Sequence, residues 1–334
     1  MDEGIEVTVR TPSRLHFGII DMRGDLGRIH GSVGVTIDRP NVLLRASKAP
    51  ELRARGPRAE RVRRYAERTL GNSGVEGSAA FDLISDIPEH TGFGSETQLA
   101  LAVGAALSEL YDLDLGVEEM ALKLGRSRIS GVGTYAFKHG GFIVDGGHLV
   151  DGPEGVPPLV FRSDMPEDWL FVIGVPEVNP GLSGTPERDA FSRLNPPQKA
   201  LVGEVSRTVL MKMIPAIIEH DITAFGEAMT ALDYAFGGCW REVQGGMFSH
   251  PVIERGVEFL LRAGAYGVGQ SSWGPAFYGL VEGEERAEIV SERLNEFLNG
   301  DGRRGDAFYA RPDNRGAIIS IAGEGERPKA LQEV

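Results

Sequence analysis

Four segments of this chain gather residue types that do chemistry, and each is punctuated by glycine. The densest is TPSRLHFGIIDMRGDLGRIHGSVG, Thr11–Gly34, in which Arg14, His16, Asp21, Asp25, Arg28 and His30 fall among five glycines instead of along one amphipathic face. Arginine forks hold phosphate or carboxylate bidentately, and carboxylates suit Mg²⁺ carried by a diphosphate. Any one of these residues alone reads as a surface charge; six together balance that reading with a site. The second segment is EHTGFGSETQLALAVGAALSEL, Glu89–Leu110. Gly92 and Gly94 permit positive φ and close backbone approach. The apolar run behind them predicts a helix whose free N–H groups and partial positive charge face the glycines, a ready anion site. Ser95 and Gln98 have the S-x-x-Q spacing of a capping box, so Ser95 is expected as the N-cap. A helix entry needs neither Glu89 nor His90, which tilts the segment towards a site. No G-K-[ST] follows, so it is not a Walker A loop.

The third segment, GVGQSSWGPAFYGL from Gly267, offers Gly269, Gln270, Ser271, Ser272 and Gly274 as a backbone nest for an anion, or as a tight turn with Trp273 packed beside it. The fourth, GRSRISGVGTYAFKHGG from Gly125, carries Arg126, Arg128, Lys138 and His139 around what reads as a flexible glycine turn. Neither H-x-x-x-H nor H-E-x-x-H occurs, which argues against zinc, and no G-x-S-x-G elbow marks a hydrolase. A run from Arg53, RARGPRAERVRRYAERTL, holds seven arginines; Arg61, Arg64 and Arg68 read as one face of a solvated helix.

These segments need elements to position them. GIEVTVRTPSRLHFG alternates and is rich in branched residues, predicting a strand that reaches a loop near Pro12. GSVGVTIDRPNVLLRAS predicts two short strands split by a turn at Asp38–Pro40. AAFDLISDIP is a strand, GVEEMALKLGRSR a short helix and GGFIVDGGHLVDG a strand pair. Residues 152–168 are proline-rich and read as the connection between two domains, 1–160 and 165–325. In the second, WLFVIGVP predicts a buried strand and PPQKALVGEVSRTVLMKM a helix interrupted by Pro215; DITAFGEAMTALDYAF and PVIERGVEFLLRAGA predict two more helices. YGVGQSSWGPAFYGLV reads as a glycine-rich loop, and the charged tail from Gly323 as frayed. Strands and helices mix without regular alternation, so the fold class is α+β.

Composition bounds the rest. A chain of 334 residues suits two domains. Its formal charge of −13 argues against a nucleic-acid partner. No apolar stretch approaches the roughly 18 residues of a membrane span, and the acidic start MDEGIEVTVR is no signal peptide. One cysteine, Cys239, excludes an internal disulfide framework and reads as a buried thiol in a reducing cytoplasm.

The order TPSRLHFGIID, PEHTGFGSETQLALA, GVGQSSWGPAF resembles the three motifs of the galactokinase, homoserine kinase, mevalonate kinase and phosphomevalonate kinase (GHMP) superfamily. Pro88, Gly92, Phe93, Gly94 and Ser95 match its Pro-x-x-x-Gly-Leu-Gly-Ser-Ser-Ala phosphate loop, while Glu96 and Thr97 replace the Ser-Ala. An acid at position 96 repels a triphosphate at close range, which turns the expectation away from ATP. In finer detail SRLHFGIIDMRGDLGRIHGSVGVTID, EHTGFGSETQLALAVG and SRISGVGTYAFKHGGFIVDGG resemble the β-ribofuranosylaminobenzene 5′-phosphate synthase family.

That resemblance implies two α+β domains meeting at a cleft, the first like ribosomal protein S5 domain 2 and the second ferredoxin-like. It implies a decarboxylating pentosyltransferase of tetrahydromethanopterin biosynthesis. Phosphoribosyl diphosphate and 4-hydroxybenzoate or 4-aminobenzoate would give a C-riboside 5′-phosphate, CO₂ and diphosphate, with Mg²⁺ and no organic cofactor. The alternative is an ATP-dependent small-molecule kinase. The implied catalytic residues are Asp21, Arg28, His16 and His30. The implied substrate contacts are Arg14, His90, Gly92, Gly94, Ser95, Glu96, Thr97, Lys138, Gln270 and Ser271, with Asp21 and Asp25 on a Mg²⁺–diphosphate. A cytoplasmic homodimer without nucleic-acid or membrane partners completes the expectation.

Overall fold

The computed structural model describes residues 4–178, 196–300 and 302–323, with the side chains of residues 242–244 outside the description. Its frame is a long antiparallel pair, β1 (Glu6–Asp21) and β2 (Arg28–Lys48). The expected breaks at Pro12 and at Asp38–Pro40 do not end these strands. Both fall at one irregularity, where the register jumps from Thr11↔Val42 to Ser13↔Ile37. A proline that donates no ladder hydrogen bond is accommodated at such a bulge. β3 (Arg53–Arg55), β4 (Ala79–Ser85), β5 (Phe142–Asp145), β6 (His148–Leu149), β7 (Leu159–Ser163) and β12 (Ile318–Ala322) complete the first sheet. Two boundaries differ from the sequence reading. β7 lies within the expected connection and pairs with β5, and β12, although late in the chain, pairs with β1.

Over this sheet lie α1 (Ala59–Ser73), α2 (Ser95–Tyr111), α3 (Val117–Lys123) and α4 (Val132–His139). α2 is buried without a break from Gln98 to Leu107, which is why its sequence lacks a polar stripe. Where a flexible glycine turn was expected, residues 132–139 form α4, and its first turn is held because Asp145 Oδ2 accepts from Gly131 N–H at 2.8 Å.

The second sheet has the order β11-β8-β10-β9, all antiparallel: β8 (Trp169–Pro176), β9 (Gly267–Gln270), β10 (Phe277–Glu282) and β11 (Gly305–Ala310). With helices between β8 and β9 and between β10 and β11, this is the split β-α-β ferredoxin-like arrangement. The helices are α5 (Lys199–Thr208), α6 (Ile214–Glu219), α7 (Ile222–Gln244), α8 (Pro251–Arg262) and α9 (Glu284–Leu298). Pro215 does not interrupt the first of them. A π-helical turn over Val209–Met213 joins α5 to α6, and Pro215 stands in the first turn of α6, where its missing N–H costs nothing. The segment expected as a glycine loop is β9, a turn and β10. One buried apolar cluster runs through both sheets, uniting Phe17 of β1, Phe171 of β8, Phe225 of α7 and Tyr278 of β10. The charged tail beyond residue 323 lies outside the described residues.

Candidate active site

Three of the four chemically dense segments meet at one carbonyl. Gly92 C=O accepts from Ser271 Oγ at 2.7 Å and from the Arg14 guanidinium. The Ser271 hydroxyl accepts the backbone N–H of His16 at 3.0 Å. Around it, Arg14 N–H donates to Phe93 C=O at 3.1 Å and Ala276 N–H to Thr91 C=O at 3.1 Å. The packing admits no side chains here: a Cβ on Gly92, whose φ is +99°, would stand 2.2 Å from the Ser271 carbonyl, and one on Gly274 2.1 Å from Thr91. Glycine is required where two backbones cross this closely. The register shift between His16 and Gly18 in β1 marks the place where the strand bends towards the loop.

The helix entry differs from the expected capping box. Gly94 is the N-cap, in the left-handed region with φ +82°, and no side chain caps α2. Ser95 is buried as the first helical residue, and Gln98 instead donates to Gly133 C=O at 2.8 Å, tying α2 to α4. The N–H groups of the first turn are therefore not taken up by a side-chain cap, as an anion site requires. Thr97 packs towards Gly133.

Glu96 overturns a second expectation. Its carboxylate does not confront the glycine loop's anion site alone. It accepts from Tyr65 Oη at 2.5 Å and Arg61 at 3.0 Å, and pairs with Arg58 at 3.4 Å. Burial alone would raise its pKa, but Tyr65, Arg61, Arg126 and Arg58 outweigh that and hold it below the ordinary value. Arg58 also forks onto Asp86 and reaches Glu89 at 3.7 Å. The arginine helix is thus only partly a solvated face: Arg64 is exposed, while Arg58 and Arg61 anchor the loop from behind.

Of the four histidine and lysine candidates, one lies at the junction. His16 is buried, and its pKa is lowered to about 3 by burial and then by the Arg14 charge, so the imidazole is neutral; its Nδ1 has no hydrogen-bond partner among the described residues. His30, opposite Asp21 in the β1–β2 ladder, is lowered to about 4 by burial and then by His148, with Asp21 pulling the other way. His90 is exposed on a φ of +60° at the loop's entrance. Lys138 sits in the last turn of α4 and pairs with Glu118 at 2.6 Å, away from Gly92's partners.

Arg28 donates to the carbonyls of Gly146 at 2.8 Å and Gly147 at 2.7 Å, fixing the turn between β5 and β6. Asp21 Oδ1 accepts from the N–H groups of Arg23 at 2.6 Å and Gly24 at 3.0 Å. Asp25 is held low by its bond to Arg23, then by Lys199, and stands exposed in that pair. Among the described residues no three His, Cys, Asp or Glu side chains gather as a metal cage. A Mg²⁺ that arrives with a diphosphate keeps most of its ligands and needs one or two carboxylates. Asp21, whose Oδ2 is not used by the turn, fits that role; Asp25 is already paired.

Gln270 belongs to the loop's own scaffold. Its amide donates to Ser249 Oγ at 2.7 Å and Gly274 C=O at 2.9 Å, and its backbone N–H donates to Asp233 at 2.9 Å. Asp233 was missed in the sequence. It is a lone acid on an otherwise apolar helical stripe, and burial pushes its carboxyl well above the usual range. Tyr65 and Phe236 were missed for a different reason: nothing in sequence separates them from core aromatics.

Comparison with known proteins follows the same geometry. Residues 58–141 match the family described as GHMP kinases N terminal domain, and residues 213–300 match GHMP kinases C terminal. The chain is 36% identical to the beta-ribofuranosylphenol 5'-phosphate synthase of Methanothermobacter thermautotrophicus, covering 94% of this chain and 99% of that one. It is 30% identical to the protein of the same name from Archaeoglobus fulgidus, again over 94% and 99%. The homoserine kinase of Cytophaga hutchinsonii has the same fold, with a TM-score of 0.65 at 17% identity over 94% of this chain and 97% of that one. The mevalonate kinase of Methanococcus jannaschii gives 0.63 at 16% identity over 92% and 98%.

Proposed function

The chain belongs to the beta-ribofuranosylphenol 5'-phosphate synthase family, and on that premise we propose that it joins phosphoribosyl diphosphate to 4-hydroxybenzoate with loss of CO₂ and diphosphate. The observation that carries this reading is near-full-length identity of 36% to a protein of that name. The geometry is in keeping with it. The C1–O bond of the ribose breaks with its electron pair going to diphosphate. The ring carbon that bears the carboxylate attacks C1, and the pair of the breaking C–CO₂ bond restores aromaticity.

The residues at the junction bind and orient. The uncapped first turn of α2 and the Arg14 guanidinium beside Gly94 would meet an anionic group of the substrate together. Donors fixed by the fold before substrate arrives stabilise developing charge without reorganisation. Arg28 acts through the Gly146–Gly147 turn it holds, and its remaining guanidinium donors serve substrate or that turn's placement. Asp21 would hold a Mg²⁺ that arrives with the diphosphate, and such an ion would supply charge neutralisation to the leaving group. The reading includes a homodimer working in the cytoplasm; no helix among the described residues is long and apolar enough to cross a membrane. A kinase of the same fold is the lesser reading, because relatives that match this chain over 93–94% of its length at 30–36% identity carry the synthase name.

The test is release of labelled CO₂ from carboxyl-labelled 4-hydroxybenzoate with phosphoribosyl diphosphate and Mg²⁺. Release dependent on both substrates is expected. No release, with ATP consumed in the presence of a small alcohol, would reverse the assignment.

A further inference from the structure

A second close crossing of backbones lies nearer the β1–β2 turn, and one buried acid holds it. Asp145, the last residue of β5, has no exposed surface. Its Oδ1 accepts the backbone N–H groups of Ser32 at 3.2 Å and Gly147 at 2.9 Å, and its Oδ2 accepts that of Gly131 at 2.8 Å. The Ser130 hydroxyl bonds to the same carboxylate. The backbone donors come from three places: β2, the turn between β5 and β6, and the entry to α4. Every partner is neutral, so burial prevails over the hydrogen bonds and raises the carboxyl to about 6. An ionised side chain in such a setting is costly, and an amide, with its single acceptor oxygen, does not serve donors at both positions.

What this carboxylate holds is the turn that Arg28 uses. A Cβ on Gly147, whose φ is +64°, would stand 2.2 Å from the Ile29 carbonyl oxygen and 2.5 Å from Gly31 N, so the turn crosses β2 beside His30. Arg28 takes the carbonyls of Gly146 and Gly147, and Asp145 takes the Gly147 N–H. The bond to Gly131 leads elsewhere. Gly131 is the N-cap of α4, and two residues on, Gly133 C=O accepts from Gln98 at 2.8 Å. A Cβ on Gly133 would also lie 3.3 Å from Thr97. Thr97 and Gln98 belong to the first turn of α2, which continues the glycine loop. One carboxylate therefore links the Arg28 turn to the helix whose start no side chain caps.

We propose that Asp145 is a positioning residue of this site: through Ser32, Gly147 and Gly131 it sets Arg28 at a fixed place relative to the first turn of α2. This rests on the synthase reading above, in which the remaining donors of Arg28 serve phosphoribosyl diphosphate. The carboxylate itself is shielded and touches no substrate. It acts through the backbone. Where Oδ2 no longer accepts, the Gly131 N–H is left buried without a partner, and the entry to α4 shifts to relieve it. A shift of about 1 Å in a group that orients substrate lowers a rate by about 100-fold.

The experiment is a double-mutant cycle. Asp145→Asn keeps the size of the side chain and removes the acceptor at Gly131. Measured well below the melting temperature, its kcat/KM for phosphoribosyl diphosphate should fall about tenfold or more. Arg28→Gln should fall at least as far, and the double variant should lie within about twofold of Arg28→Gln alone, because Asp145 acts through Arg28. Calorimetric affinity for inorganic diphosphate with Mg²⁺ reads the same cycle without turnover: each single variant should weaken it about fivefold or more, and the double variant no more than about twofold further. If Asp145→Asn fails to fold, Ser130→Ala, which loses one contact to the same carboxylate, should show the cycle with a single effect of about threefold. Effects that multiply in the cycle, wild-type kinetics with only a lower melting temperature, or an inert Arg28→Gln would each overturn the role of Asp145. A wild type that shows the cycle in diphosphate affinity yet releases no CO₂ overturns the synthase reading instead and leaves that role standing.

Discussion

The two flanks of the glycine loop are built on opposite principles. On one side, Arg58 and Arg61 meet Asp86, Glu89 and Glu96, and every charge has a counter-charge within the protein. On the other, Gly92, Arg14, Ser271 and His16 bring backbone groups, one guanidinium and a neutral imidazole together with no carboxylate among them. The first arrangement has no electrostatic demand left for a ligand. The second is built from backbone groups, with a buried imidazole nitrogen beside them that has no hydrogen-bond partner among the described residues. The difference is one of partner: Arg58 and Arg61 meet acids behind the loop, while Arg14 meets a carbonyl at the crossing of three chain segments.

The largest test of that division is Gly92→Ala. Its Cβ would stand 2.2 Å from the Ser271 carbonyl at a φ of +99°, so the two backbones must part. kcat/KM should fall about 100-fold or more, since positioning is lost at the crossing itself. A variant with wild-type kinetics would show that the crossing is not the site. Next comes Arg14→Gln, expected to lower kcat/KM by about one to two orders of magnitude with the melting temperature little changed; an effect on stability alone would move Arg14 to the structural side.

The third test is pH. His16 and His30 stay neutral in the folded protein down to about 3 and about 4. In the unfolded chain both take up protons near pH 6.5, so stability is full above that pH and is lost as pH falls through it. The loss from pH 6.5 to 5 should reach about 2 kcal/mol for each. Denaturant melts of His16→Gln should show a shallower acid limb than the wild type; an unchanged limb would mean His16 is protonated in the native state. Fourth, Glu96→Gln should cost about 1 kcal/mol of stability, because Arg58 and Arg61 keep their other partners, with turnover within a few-fold of wild type. A collapse of turnover would place Glu96 on the substrate side. The smallest effect belongs to Lys138→Ala: its half-exposed pair with Glu118 contributes about 0.5 kcal/mol or less. Steady-state kinetics decide that case, since a large rise in KM would return Lys138 to the site.

Much of this was legible in the chain. Helix α2, β4, β8 and α8 stand where periodicity put them, because a buried helix or strand needs a long run of suitable residues wherever it packs. Pro12, Pro40 and Pro215 misled for a common reason: local propensity marks them as breaks, yet a bulge shared by two strands and a π-turn before a helix start absorb them. The capping box misled because Ser95 and Gln98 both turned inward, where tertiary partners outweigh a cap.

By itself the sequence determined which residue types were available and where backbone freedom was kept: glycines at 92, 94 and 274, arginines and histidines in the first strands, and an acid at 96 in a phosphate-loop pattern. Only the tertiary structure decided which cation met which partner. Arg14 and Glu96 are oppositely charged residues on equally suggestive motifs. One lies beside a carbonyl where three chain segments cross, and the other is neutralised by a helix 35 residues away in sequence. Charge acts through distance, and distance between such segments is set by packing.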